Sequence, residues 1–203
     1  AWTEDGILLR IPQEDCCQAL SIPPSRKYQS DNRPSNEKQP SMVEILNLLK
    51  GSDQPAEDQK AFLKAQIIFW LIGATDGHGK NFSIYLGQGG RFILTPFYDV
   101  LTAQPFFDAH KLQKKEMKMA MSVGSNNHYK MADIQGRHFV QTVQKAGLPE
   151  YIGKEALDEI AGIAEKAIQS LEEKLPSDFP DEIQESVMKA VKARLRSLLT
   201  QPL

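Results

Sequence analysis

A mixed α+β domain, mostly helical, is the fold class this sequence predicts, and three features carry it. Residues 58–73 form an apolar run at helical spacing, with Phe62, Leu63, Ile67, Ile68, Trp70, Leu71 and Ile72 spread over more than one side. Two short alternating runs, Phe82–Leu86 and Arg91–Leu94, flank Gly87-Gln88-Gly89-Gly90, which signals a β-hairpin. The last third reads as three helices, punctuated by Gly147 and by Pro176-Ser177-Asp178-Phe179-Pro180.

From the start of the chain, residues 13–20 after Pro12 read as a short helix. Residues 22–40 are polar and rich in Pro, Ser and Asn, with Arg26, Lys27, Arg33 and Lys38, and read as a loop. Ser41 opens a helix to about Leu49, closed by Gly51. The apolar helix 58–73 belongs at the core, and the hairpin follows it. Residues 100–131 read as irregular and carry Lys111, Lys114, Lys115 and Lys118. Helices are expected from 131 or 132 to 146, from 154 to 174 and from 181 to about 200. The hairpin therefore lies between a buried helix and a C-terminal helical bundle.

The chain has 203 residues, 41% of them hydrophobic, enough for a sizeable core. A net charge of −2 gives no global pull toward nucleic acid or an acidic membrane surface. Cys16 and Cys17 are adjacent, and no Cys/His spacing suggests zinc, so a reduced, cytoplasmic setting fits. No apolar run approaches the roughly 18 residues of a membrane span. Leu8-Leu9-Arg10-Ile11-Pro12 reads like the middle of a longer protein.

The chemistry concentrates in Asp76-Gly77-His78-Gly79-Lys80-Asn81, directly after the apolar helix, and in Tyr98-Asp99 after the hairpin. Phosphoryl transfer from Mg-ATP needs an acceptor for the proton of the attacking hydroxyl, oxygen ligands for the metal, and positive charge beside the phosphoryl group. Asp76 suits the first task. Asn81 and Asp99 suit the second, because magnesium takes oxygen ligands and usually only one or two from protein. Lys80 suits the third. A hairpin joining Asn81 to Asp99 brings them within roughly 5–10 Å, because paired strands lie about 5 Å apart. Singly, each has a structural reading: Asp76 or Asp99 as a cap, His78 as a packed histidine, Lys80 as a solvated cation, Asn81 as a turn former. Their combination around one hairpin favours the chemical reading.

The stretch Leu71–Ser83 resembles the catalytic loop of the HipA family, the serine/threonine kinase toxins of bacterial toxin–antitoxin pairs. Leu94–Val100 is similar to that family's metal-binding segment. Arg10–Asp15, Cys17–Leu20, Arg26-Lys27-Tyr28, Met117–Met121 and Leu175–Pro180 match further. The resemblance implies that residues 1–203 form the helical C-lobe of a two-lobed, kinase-like fold. It implies Asp76 as catalytic acceptor, His78, Gly79, Lys80 and Asn81 along the nucleotide phosphates and metal, Tyr98 against the nucleotide, and Asp99 on Mg²⁺. It implies ATP and Mg²⁺ as cofactors, an aminoacyl-tRNA synthetase as target class, a small helix-turn-helix antitoxin of the HipB type as partner, and DNA contact mainly through that antitoxin. A kinase also needs a Gly-rich loop over the phosphates and an N-lobe lysine. Gly87–Gly90 follows the catalytic loop and does not supply the former. These residues alone are therefore expected to show weak activity or none.

Two other classes compete. One is a non-catalytic interaction domain that binds an antitoxin or a separately encoded N-lobe. The other is a metal-dependent hydrolase using Asp76, His78 and Asp99. The 111–118 lysines, without aromatic interleaving, read as a solvated face, as do Glu155, Asp158 and Glu159. His110, His128 and His138 lack ligand spacing, Trp70 reads as core, and Trp2 as an exposed residue ahead of the ordered part.

Overall fold

The computed structural model describes residues 5–6, 10–32 and 37–199. Trp2, Leu8, Leu9 and Arg33 lie outside these. The fold is α+β and mostly α. Its centre is α3, Pro55–Ile72, one turn longer at its N-terminus than the apolar pattern indicates because Pro55 occupies the first turn. Phe62, Leu63, Ile67 and Trp70 are buried, and the Trp70 indole N–H donates to the Met131 carbonyl at 3.0 Å. Ile68, expected in the core, is half exposed and faces the groove between α3 and the last two helices.

Around α3 pack α2 (Met42–Leu48), α5 (Gly136–Lys145), α6 (Glu150–Lys174) and α7 (Asp181–Leu199). Ser41 caps α2, its hydroxyl accepting the Glu44 N–H at 3.1 Å. Helix α6 begins four residues before the expected Lys154, after Pro149, and α5 begins at Gly136 after a 3₁₀ turn at Met131–Asp133. Lys60 and Lys64 of α3 pair with Glu155 and Glu159 of α6, so those glutamates join two helices instead of forming a purely solvated face.

The expected hairpin is present as β2 (Ser83–Leu86) and β3 (Phe92–Leu94), with Tyr85 opposite Ile93. It is not alone. Gln13–Asp15, expected to be helical, forms strand β1 against the other edge of β2, and the helix α1 is only Cys16–Ala19. Asp15 ends the strand and caps the helix through a reciprocal capping box with Gln18. Three polar residues without alternation gave no strand signal, because the pairing partner supplies the structure.

Residues 100–131, expected to be irregular, contain α4 (Gln104–Asp108) and a second antiparallel hairpin, β4 (Lys118–Val123) and β5 (His128–Lys130). Five consecutive residues of β4, Met119–Val123, are buried, so both faces are covered and the period-2 signature is lost. Its turn runs through Gly124 and Asn127, both at positive φ.

Candidate active site

Helix α3 delivers the chain to the site through a locked C-terminus. Gly73 adopts φ 75°, a conformation glycine takes without penalty, and the Ala103 N–H donates to its carbonyl at 2.9 Å. Arg194 of α7 donates to the Leu71 carbonyl at 2.9 Å and to Gln104 Oε1 at 2.7 Å. The loop that follows is packed tightly from beneath. A Cβ on Gly77 would sit 2.4 Å from the Phe69 ring, and one on Gly79 would sit 2.5 Å from Pro40 and 2.9 Å from Cys17 Sγ. The Gly79 N–H donates to the Lys27 carbonyl at 3.2 Å. Both glycines are thus required by close approach of the loop to the core.

At the far end, buried Asp58 accepts from Ser52, from Gln54 Nε2 at 2.8 Å and from the Leu94 N–H at 2.8 Å. This network ties the start of α3 to the end of β3, and so fixes where the chain leaves the hairpin toward Asp99.

Asn81 is buried and donates through Nδ2 to Asp99 Oδ2 at 2.5 Å. Its Oδ1 is buried with no hydrogen-bond partner. The opposite amide orientation would set two oxygens against each other and bury the NH₂ group unpaired, so this one is required. Asp99 is exposed and held at φ 55°, a conformation uncommon for a residue with a Cβ. An unpartnered amide oxygen beside an accessible carboxylate is a donor set that suits a hard, oxygen-seeking cation. Among the described residues there is no cluster of three or more His, Cys, Asp or Glu fit to hold a metal, so any ion here would rely on these two residues and on non-protein oxygens.

Asp76 is exposed, and its Oδ1 accepts the Tyr28 hydroxyl at 2.5 Å. That bond raises Tyr28 to about 12, so the phenol stays a donor at neutral pH. His78 lies between the two carboxylates in electrostatic terms: Asp76 and Asp99 both act to raise its pKa, but burial first and the Lys27 ammonium second lower it overall. The imidazole is therefore neutral at pH 7. Its ring meets Tyr28 edge-on at 5.0 Å, and its Nδ1 is buried without a partner.

Lys80 and Tyr98 are held by the fold. Lys80 Nζ pairs with Asp15 Oδ2 at 2.5 Å, and this contact raises its pKa. The Tyr98 hydroxyl donates to the Lys80 carbonyl at 2.8 Å and lies 2.6 Å from Ser83 Oγ, while the residue remains over a third exposed. The structure thus brings Asn81 and Asp99 into contact, links His78 to Asp76 and to Asn81 through backbone hydrogen bonds, and directs the Lys80 ammonium to β1. On the Asp76 side the Lys27 ammonium lies 5.1 Å from the Tyr28 ring centre. Sequence reasoning did not assign roles to Tyr28, Lys27 or Asp15. Tyr28 is 48 positions from Asp76, so no local spacing could reveal it; only the Arg26-Lys27-Tyr28 match marked the segment.

The family described as the HipA-like C-terminal domain matches residues 3–168. That defines the class of protein: a chain carrying the C-terminal domain of HipA-like kinase relatives. This chain belongs to that family. It is 36% identical over 147 residues, 71% of its length, to the Sinorhizobium fredii protein named Putative kinase Y4mE, covering 32% of that protein. It is 24% identical over 180 residues to the serine/threonine-protein kinase toxin HipA of Shewanella oneidensis, covering 86% of this chain and 40% of the toxin. The fold matches a chain from the complex of Shewanella oneidensis HipA, HipB and operator DNA with a TM-score of 0.79 at 23% identity, over 94% of this chain and 44% of that one. The chain therefore spans less than half the length of these relatives.

Proposed function

We propose that this chain is the catalytic C-lobe of an ATP-dependent serine/threonine protein kinase of a toxin–antitoxin pair. The observation that carries the reading is the Asn81–Asp99 contact, with the Asn81 amide oxygen buried and unpartnered beside an open carboxylate. Asn81 Oδ1 and Asp99 would hold Mg²⁺, which when bound neutralises phosphate charge. Asp76 Oδ2, left free by the Tyr28 bond to Oδ1, is the oxygen suited to take the proton of an incoming serine or threonine hydroxyl. Tyr28 orients that carboxylate. Neutral His78 supplies a buried ring nitrogen next to it without adding a competing positive charge. Tyr98 presents a ring whose hydroxyl is anchored to the loop, suited to lie against the nucleotide, with Gly79 and Lys80 shaping the path of the phosphates.

The family resemblance extends the proposal. A HipB-type helix-turn-helix antitoxin is the partner, DNA is met mainly through it, and an aminoacyl-tRNA synthetase is the target whose modification slows translation and favours persistence in the cytoplasm. Among the described residues no helix is long and apolar enough to cross a membrane. The test is calorimetric titration of ATP with and without Mg²⁺, for this chain and for the chain joined to a complete N-lobe. Mg²⁺-dependent binding in the joined form, lost in Asn81→Ala, is the expected result. Binding indifferent to Mg²⁺ would overturn the reading.

A further inference from the structure

A cleft of about 430 Å³ is lined by Thr75 and Tyr28, the chain neighbour and the hydrogen-bond donor of Asp76. Lys115, Lys118 and Lys130 line it as well, together with Asp31. The wall is fixed in advance. Gln29 both donates to Ser122 Oγ at 2.8 Å and accepts the Ser122 N–H at 2.9 Å, and Asp31 accepts the Tyr129 hydroxyl at 3.0 Å and Asn127 Nδ2 at 3.3 Å.

The three lysines are exposed, and none has an acidic partner among the described residues. Lys118 and Lys130 moreover stand directly opposite each other in the β4–β5 ladder. Like charges at facing positions destabilise a hairpin. A chain with 26 acidic residues and a net charge of −2 nonetheless keeps this pair uncompensated in a cleft lined also by Thr75 and by Tyr28, the donor to Asp76.

We infer that this cleft is the acceptor-peptide subsite, and that it selects acidic residues flanking the serine or threonine to be phosphorylated. The orientation toward Asp76 rests on the phosphotransfer reading above. A polypeptide fits better than a nucleic-acid backbone. A nucleic-acid backbone carries a phosphate at every step and would have to bring one past the Asp31 carboxylate, which spaced acidic side chains avoid, and the Tyr28 ring is already engaged by Lys27 and by the edge of His78, so it offers no open platform for a base. Acidic side chains would meet Lys118 and Lys130 from one side and relieve their mutual repulsion, a gain absent from the free protein.

The test is fluorescence anisotropy with a labelled serine-centred peptide carrying Asp and Glu flanks, against the same peptide with Gln flanks, on the whole 203-residue chain. The acidic peptide should bind at least about tenfold tighter at low salt, with the advantage shrinking as ionic strength rises. Lys118→Glu/Lys130→Glu should abolish that preference and bind a Lys-flanked peptide instead, and Lys118→Gln/Lys130→Gln should bind neither charged peptide selectively. The charge-swapped rescue excludes a folding defect as the cause. Equal binding of acidic and Gln peptides by the unaltered chain, or an unchanged preference in the Glu variant, would overturn the inference, as would displacement of the acidic peptide by a mixed-sequence RNA at equal charge. Calorimetry with Mg-ATP on the chain joined to a complete N-lobe runs in parallel: no nucleotide binding with the peptide preference intact sinks the kinase reading alone, and nucleotide binding with no peptide preference sinks the cleft alone.

Discussion

Asn81 and Asp99, 18 positions apart, touch through Nδ2 and Oδ2 at 2.5 Å, one buried and one open to solvent. The hairpin between them accounts for the contact. Antiparallel pairing of Ile84 with Leu94 and the bond from the Thr95 N–H to the Ser83 carbonyl bring the two ends of β2–β3 together. One side chain is thereby rigid and the other adjustable, an arrangement suited to a metal whose remaining ligands arrive with the nucleotide.

That division of labour predicts different phenotypes for the two acidic residues. With the N-lobe present, Asp76→Ala should keep Mg-ATP affinity within about twofold and lower phosphoryl transfer by on the order of 10²–10⁴, the usual contribution of a positioned proton acceptor. Asp99→Ala should weaken Mg-ATP itself. Calorimetry and a radiolabelled transfer assay separate the two. Equal loss of nucleotide binding in both variants contradicts the roles assigned.

The loop beneath these residues should tolerate no Cβ. Gly77→Ala drives a methyl group into the Phe69 ring and should cost about 1–3 kcal/mol, the range for overpacking a filled core. Gly162→Ala is the opposite case. It lies inside α6 with nothing within 4 Å of the added carbon, and should stabilise by about 0.5–1 kcal/mol. Chemical denaturation of both variants measures the contrast.

Much of this arrangement was legible in the sequence. The buried helix, the hairpin with its Gly-rich turn and the polar residues at its two ends follow from apolar periodicity and turn chemistry. What escaped has a common physical origin. Strand β1 exists because β2 offers an unpaired edge. Strand β4 is buried on both faces, so its alternation vanished, although Gly124-Ser125-Asn126-Asn127 marks its turn. The same holds at the site. Asp76, Asn81 and Asp99 sit within or beside one local motif, while Tyr28, Lys27 and Asp15 reach it only through tertiary packing. The lysines of 111–118 read correctly as exposed, yet their relation to Lys130 depends on a strand register that composition does not reveal.

That register predicts a trade between stability and recognition. Lys130→Gln removes the repulsion facing Lys118 and should stabilise the chain by a few tenths to about 1 kcal/mol, the usual scale of a cross-strand pair. The gain should shrink in high salt, because both ammonium groups are exposed. Thermal melts at two ionic strengths test this. Destabilisation by the substitution would mean that Lys130 has a favourable role in the fold.

A final prediction concerns acid. His138 caps α5: its Nδ1 accepts the Gln135 N–H at 3.2 Å, and its ring stacks on His128 at 4.1 Å between centres. Burial first, then His128 and Arg137, lower its pKa from 6.5 to about 4. A nitrogen that accepts a hydrogen bond must be unprotonated, which agrees with that direction. Because the folded value lies below the unfolded one, the contribution to stability is complete above about pH 6.5. It declines as pH falls, since the unfolded chain takes up a proton that the folded chain refuses, and it is exhausted once pH drops below about 4. Denaturant midpoints measured from pH 7 to pH 4 should therefore fall with acid. His138→Gln, which keeps an acceptor but does not titrate, should make that slope shallower. An unchanged slope in the variant would assign the acid sensitivity to other groups.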